Sequence, residues 1–183
     1  MKKKQPEKIE LTKQSLLDAF CKLYNKKPFE KISVLEIARK AGYNRSTFYQ
    51  YFSDIYELLD YIENDVLDYL EKNSPKEKNT EITQAVIQRV VRLYEEKGTY
   101  LNALLGKYGN NRFLERLKEK IPLDVQGLAL SDKKTITPYL IEFHRSTSLS
   151  LFQFWQNRKK DLSIEELADL MIRLYTKGIS DYL

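Results

Sequence analysis

Residues 32–52 read Ile32-Ser33-Val34-Leu35-Glu36-Ile37-Ala38-Arg39-Lys40-Ala41-Gly42-Tyr43-Asn44-Arg45-Ser46-Thr47-Phe48-Tyr49-Gln50-Tyr51-Phe52. Ser33 and Glu36 stand three apart, the spacing at which a hydroxyl and a carboxylate each satisfy an orphan amide at a helix start. Ile37, Ala38 and Ala41 follow on one face, and Gly42 is placed to stop the helix in a left-handed conformation. Asn44 then caps a second short helix, expected over Arg45 to Tyr51. Two short helices joined by a tight glycine-containing turn make a helix-turn-helix. Ile37, Ala38, Ala41 and Phe48 are its expected internal contacts, and the two alanines allow close approach.

The same signals extend outward in both directions. Upstream, Ile9, Leu16, Leu17, Phe20, Leu23 and Tyr24 fall on one helical face, and Pro28 ends that helix. Downstream, Asp54 and Glu57 repeat the capping pattern and open a long helix carrying Leu58, Leu59, Ile62, Val66, Leu67 and Leu70. The polar stretch Asn73 to Asn79, with Pro75, reads as a loop. Helices are expected over Glu81–Lys97, Tyr100–Lys107 and Asn111–Lys120, with Gly98 and Gly109 near the breaks; Ile121 to Thr135 is irregular. Thr137 and Pro138 read as cap and first residue of a helix to about Asn157. After a turn at Lys159-Lys160-Asp161, Ser163 and Glu166 form a third capping box, opening a last helix to Tyr182. No alternating pattern persists long enough for a strand. The expected fold is all-α, with a three-helix helix-turn-helix domain over 1–53 and a helical regulatory and dimerisation domain over 54–183.

Six glycines and five prolines in 183 residues agree with long helices rather than a turn-rich β fold. No apolar run approaches the ~20 residues of a membrane-spanning helix, so no membrane partner is expected. Met1-Lys2-Lys3-Lys4 resembles the start of a signal peptide, but Gln5-Pro6-Glu7-Lys8 follows where an apolar stretch is required; the cytoplasm is the expected compartment. Cys21 is the single cysteine, which excludes an internal disulfide and a cysteine-based zinc site. The net charge of +5 is unevenly spread. Residues 1–52 hold 12 Lys/Arg against 5 Asp/Glu, and residues 53–183 hold 19 against 21. A basic first third on a near-neutral body is the electrostatic footprint of a DNA-binding module, although lysines that only aid solubility would give the same split.

Residue types in the second short helix fit DNA reading. Arginine pairs with guanine in bidentate fashion, glutamine pairs with adenine, and serine or threonine takes base edges or phosphates. The candidate DNA-contacting residues are Ser33, whose helix start offers free amides to a phosphate, and Arg45, Ser46, Thr47, Tyr49, Gln50 and Tyr51. A generic helical hairpin with polar residues facing water fits the pattern too. The stretch quoted above, however, closely resembles the DNA-binding signature of the TetR family of regulators. The resemblance runs from about Lys13 to Leu59, and Ser33, Ile37-Ala38, Ala41-Gly42, Thr47, Tyr49, Phe52 and Glu57-Leu58 match in type and spacing. It implies a three-helix DNA-binding domain followed by a helical regulatory domain that dimerises through its last two long helices. It also implies that Ser33, Arg45, Ser46, Thr47, Tyr49 and Tyr51 occupy phosphate- and base-contacting positions. One position departs from the pattern. Family members often place a phosphate-holding lysine where this chain has Ile55, leaving Lys31 or the Lys2–Lys4 arm to compensate.

By the same resemblance the chain is expected to pair with itself through Pro138–Asn157 and Ser163–Tyr182. Ser146, Thr147, Ser148 and Ser150 are small enough to let helices pack closely there. Tyr94, Tyr108, Phe113, Tyr139 and Phe143 are candidate contacts for a small apolar or aromatic effector. An ordinary aromatic core has the same composition, and the resemblance favours the pocket. His144 is the single histidine and the single cysteine lies in the first helix, so no metal is expected; Cys21 reads as an inert buried thiol. No phosphate-binding glycine loop, nucleophile elbow or paired-carboxylate motif is present, and neither catalysis nor a cofactor is expected. The expected function is a ligand-responsive repressor that binds a near-palindromic operator as a homodimer. A regulator controlled by a protein partner, or an activator, would use the same DNA-binding domain. An enzyme or binding protein with an incidental helical hairpin is the competing class, and charge and signature disfavour it.

Overall fold

The structure, a computed structural model, describes residues 4–73, 82–121 and 135–178. Among these residues every regular element is a helix: α1 (Lys4–Tyr24), a short 3₁₀ turn (Phe29–Lys31), α2 (Val34–Ala41), α3 (Arg45–Phe48), α4 (Ile55–Lys72), α5 (Ile82–Leu104), α6 (Asn111–Lys120), α7 (Thr137–Asn157) and α8 (Ile164–Lys177). The all-α expectation therefore stands. The chain divides into two compact units, one of Met1–Val66 with Thr99–Phe113, the other of Leu67–Gly98 with Leu114–Leu183.

The first unit is built around α1. Leu16, Leu17, Phe20, Cys21 and Tyr24 lie on one face at helical spacing and are wholly buried. Ile37 and Ala38 of α2, Phe48 of α3 and Leu58, Ile62 and Val66 of α4 complete the core with Leu101, Leu104 and Phe113. Burial on α1 starts only at Thr12; Ile9, placed on that face by spacing, is 51% exposed. Beyond α5 the chain doubles back through a tight turn held by Asn110. Its amide donates to the buried Glu63 carboxylate at 3.1 Å, and its side-chain oxygen accepts from the Phe113 amide at 2.7 Å.

Of the two glycines expected near helix breaks, only one marks a break. Gly98 does not break α5, which runs through it to Leu104. A Cβ there would lie 3.3 Å from the Tyr94 ring, so the missing side chain makes room for the ring rather than ending the helix. Gly109 is a true turn residue. A Cβ built on it would lie 1.9 Å from the Leu104 carbonyl oxygen and 2.8 Å from the carbonyl carbon, both backbone atoms that cannot step aside. Gly109→Ala should therefore lower stability by at least the roughly 1–3 kcal/mol of an overpacked core. Urea unfolding followed by circular dichroism measures it, and a loss below about 0.5 kcal/mol would contradict the tight turn.

In the second unit α7 and α8 form a hairpin. The buried Trp155 donates its indole N–H to the Leu162 carbonyl at 2.8 Å, fixing the turn in which Lys159 and Lys160 both adopt φ 60°. The Ser163–Glu166 capping box opens α8 as its spacing predicts. Ile136, not Thr137, is the cap residue of α7, a shift of one position, and Pro138 lies in its first turn. Gly178 caps α8 after Lys177, short of the expected Tyr182, which lies outside the described residues. Most of the loop after Asn73 and of the irregular Ile121–Thr135 stretch lies outside them too.

Candidate nucleic-acid interface

The helix-turn-helix forms as its residues require. Ser33 accepts from the Glu36 amide at 3.3 Å, and the Glu36 carboxylate accepts from the Ser33 amide and hydroxyl, each at 3.1 Å. Lys27 closes on Glu36 at 2.5 Å. The Lys27 ammonium first, then the Ser33 amide, hold the Glu36 carboxyl below the usual carboxylate range. Ser33 is thus already engaged within its own capping box. Gly42 takes φ 83° and ψ 21°, the left-handed region that a non-glycine residue enters only at a cost, and its amide returns to the last turn of α2.

The second helix is shorter than expected. Regular α geometry covers only Arg45–Phe48, and Gln50 and Tyr51 follow with i to i−3 bonds to Thr47 and Phe48 at 3.2 and 3.0 Å. Thr47, Phe48, Tyr49, Tyr51 and Phe52 are β-branched or aromatic and hold a helix weakly, so the segment tightens instead of extending. Buried Phe48 anchors it, with its ring 5.7 Å from that of Phe52. Ala41 is only half-buried, while Ile37, Ala38 and Phe48 make the internal contacts the pattern predicts.

Around this anchor the polar side chains are ordered before any partner arrives. The Asn44 side-chain oxygen accepts three bonds: from the Ser46 hydroxyl at 2.6 Å, the Thr47 amide at 3.0 Å and the Thr47 hydroxyl at 3.0 Å. Sequence reasoning found Asn44 as a cap but missed its hold on the two hydroxyls; the signal was Asn followed two and three residues later by Ser and Thr. Arg45 donates from Nε and Nη2 to the Tyr49 hydroxyl, at 3.2 and 2.8 Å, with its guanidinium carbon 5.3 Å from the Tyr49 ring centre. Arg45, Ser46, Tyr49 and Gln50 are exposed, and Thr47 and Tyr51 are half-buried. These six lie in one short segment, with Ser33 at the start of the preceding helix. Ile55 begins α4 half-buried, and Lys31 is exposed in the 3₁₀ turn; Lys2 and Lys3 lie outside the described residues.

Residues 16–62 match the family model described as bacterial regulatory proteins, tetR family. These residues are a TetR-family DNA-binding domain. Two solved structures share the fold of the chain. The TetR transcriptional regulator from Streptococcus agalactiae 2603V is 19% identical with a TM-score of 0.64, over 93% of this chain and 97% of that one. A tetR-family transcriptional regulator from Streptomyces coelicolor is 17% identical with a TM-score of 0.62, over 94% and 82%. No curated protein sequence matches. The TetR-family domain ends within α4, and the helices beyond it follow the fold of these regulators.

The candidate effector residues divide between the two units. Tyr108 and Phe113 belong to the first, where Phe113 is wholly buried, and Tyr94, Tyr139 and Phe143 belong to the second. Tyr94 packs edge-on against Phe152 and Trp155, with centroids 6.1 and 5.3 Å away, and the Lys160 ammonium lies 5.4 Å from its ring centre. Tyr139 and Phe143 are 75% and 57% exposed on α7. Thr147 and Ser148 share hydrogen bonds with the Tyr175 hydroxyl at 2.8 and 2.9 Å, so these small residues seat α8 of their own chain. His144 meets the Tyr175 ring edge-on at 4.5 Å; burial, then the neighbouring Arg145 charge, push its pKa below the ordinary value. The Cys21 thiol is buried and pushed up to about 12, chiefly by desolvation, which removes the thiolate that redox chemistry needs. Among the described residues no helix is long and apolar enough to cross a membrane.

Proposed function

We propose that the chain is a homodimeric transcription repressor that reads a near-palindromic operator with α3 and releases it when a small apolar or aromatic effector binds. The observation that carries the DNA-reading part is the exposed set Arg45, Ser46, Tyr49 and Gln50, with half-buried Thr47 among them, on a TetR-family helix-turn-helix. Self-association is supported by α7. Ile136, Leu140, Phe143, Thr147, Ser150 and Phe154 recur at steps of four and three, and all but Thr147 are exposed in the single chain. Four large apolar side chains at that period, with the small Thr147 and Ser150 between them, make a surface one helix offers another. The effector part rests on the aromatic group around Tyr94 in the second unit. An effector can shift the regulator only through different affinities for its DNA-bound and released states.

Binding of DNA selected from a random pool tests the reading, measured by fluorescence anisotropy across a salt series. Arg45→Ala should weaken specific binding by roughly 1–3 kcal/mol. Removing Lys2–Lys4 should instead weaken binding to every sequence alike and flatten the salt dependence. If Arg45→Ala and Tyr49→Ala both bind the selected DNA like the wild type, α3 is not the reader.

A further inference from the structure

The Arg45 guanidinium is fixed along one edge only. Nε–H and Nη2–H point the same way from the guanidinium plane, and both end on the Tyr49 hydroxyl, at 3.2 and 2.8 Å. The Tyr49 ring is itself seated, standing edge-on at 87° and 5.6 Å to the buried Phe48. The core therefore holds Phe48, Phe48 supports the Tyr49 ring, and the Tyr49 hydroxyl holds the arginine. What stays unoccupied in this chain of contacts is the outer edge of the guanidinium, with one N–H from Nη1 and one from Nη2. Two parallel donors at that spacing match O6 and N7 of guanine in the major groove. A long, freely rotating arginine would lose side-chain entropy on docking and would satisfy a phosphate equally well; one clamped along its inner edge loses less and presents one edge.

We propose that Tyr49 is a positioning residue: it clamps Arg45 so that its outer Nη1/Nη2 edge reads a guanine, and so sets base preference rather than bulk affinity. This rests on the reading of α3 as the DNA-contacting element. Because the hydroxyl oxygen accepts from Arg45, its own proton remains free to donate, and a direct Tyr49–phosphate bond is the rival role to be separated.

Tyr49→Phe separates them: it keeps the exposed ring and deletes the hydroxyl, so loss of the acceptor for Arg45 would remove base preference, whereas loss of a donor to phosphate would weaken binding to every sequence. The probe is the best DNA site selected from a random pool by the full-length wild-type protein. Each guanine in a half-site is exchanged in turn, and affinities are measured for wild type, Tyr49→Phe, Arg45→Ala and the double variant. The wild type should lose roughly ten- to a hundredfold at one guanine, and Arg45→Ala should be nearly indifferent there. Tyr49→Phe should fall to within about threefold of indifference at the same guanine, with an unchanged salt slope, and the double variant should be no worse than Arg45→Ala. Tyr49→Phe that keeps the wild-type preference overturns the proposal. So does a loss shared by every sequence with a flatter salt slope, which assigns the hydroxyl to a phosphate. Should Arg45→Ala itself keep full affinity and the full guanine preference, the reading of α3 fails, and the proposal with it.

Discussion

Phe48→Ala should cost the first unit about 3–5 kcal/mol, the range for truncating a fully buried phenylalanine. Phe48 is 0% exposed and is the one buried residue of α3. A helix of four residues has no stability of its own, because nucleation outweighs a single turn of hydrogen bonds. What keeps α3 in place is Phe48, whose ring meets Tyr49 at 5.6 Å and Phe52 at 5.7 Å, while Phe52 meets Tyr61 at 6.0 Å. Removing the ring leaves a cavity beneath the segment that carries Arg45 and Tyr49. Since a domain of this size is stable by only about 5–15 kcal/mol, a large share would go at once. Urea unfolding followed by far-ultraviolet circular dichroism gives the value, with Tyr49→Phe as the surface control expected to stay within about 0.5 kcal/mol of wild type. A Phe48→Ala loss below about 1 kcal/mol would mean that α3 is held by something else.

Replacing Tyr139 and Phe154 together by glutamate should leave the chain folded and turn the proposed dimer into a monomer. Phe154 belongs to the stripe from Ile136 to Phe154, and Tyr139 flanks it, four residues before Phe143. Tyr139 and Phe154 are 75% and 60% exposed near opposite ends of α7, so the isolated chain loses little by carrying charges there. In a paired state the same charges would be buried without partners, which is strongly unfavourable. Two linked recognition elements raise affinity by about 10²- to 10⁴-fold over one through effective concentration, so specific DNA binding should fall by a similar factor. Sedimentation velocity and DNA titration on the same sample report both effects. A variant that stays dimeric would move the interface away from this face of α7.

Most of the fold was legible because helix ends carry their own chemistry. Ser33/Glu36, Gly42, Asn44 and Ser163/Glu166 each act as their spacing predicts. The two larger differences share one cause, a local signal overruled by packing. Gly98 looked like a break, but the Tyr94 ring fills the space beside it and the helix continues. Arg45 to Tyr51 looked like two turns of helix, yet burial of Phe48 and Phe52 in a β-branched and aromatic run tightens the second turn. Ile9 had the right spacing but lies on α1 before its burial begins. Within the site, residue types pointed to the DNA-reading segment, but not to its internal order. The Arg45–Tyr49 clamp is an i, i+4 pair visible in sequence, whereas the edge that it leaves open depends on which nitrogens bond. The effector residues were least legible, because aromatic composition does not distinguish a pocket lining from a core.

The most direct test of paired DNA reading by α3 is selection from a random DNA pool by the full-length chain, run in parallel with Arg45→Ala. Wild type should enrich a near-palindromic sequence whose half-sites lie about 34 Å apart, or a similar multiple of the helical turn, and Arg45→Ala should fail to enrich it. No enriched sequence from the wild type, or the same sequence enriched equally by Arg45→Ala, would contradict the account.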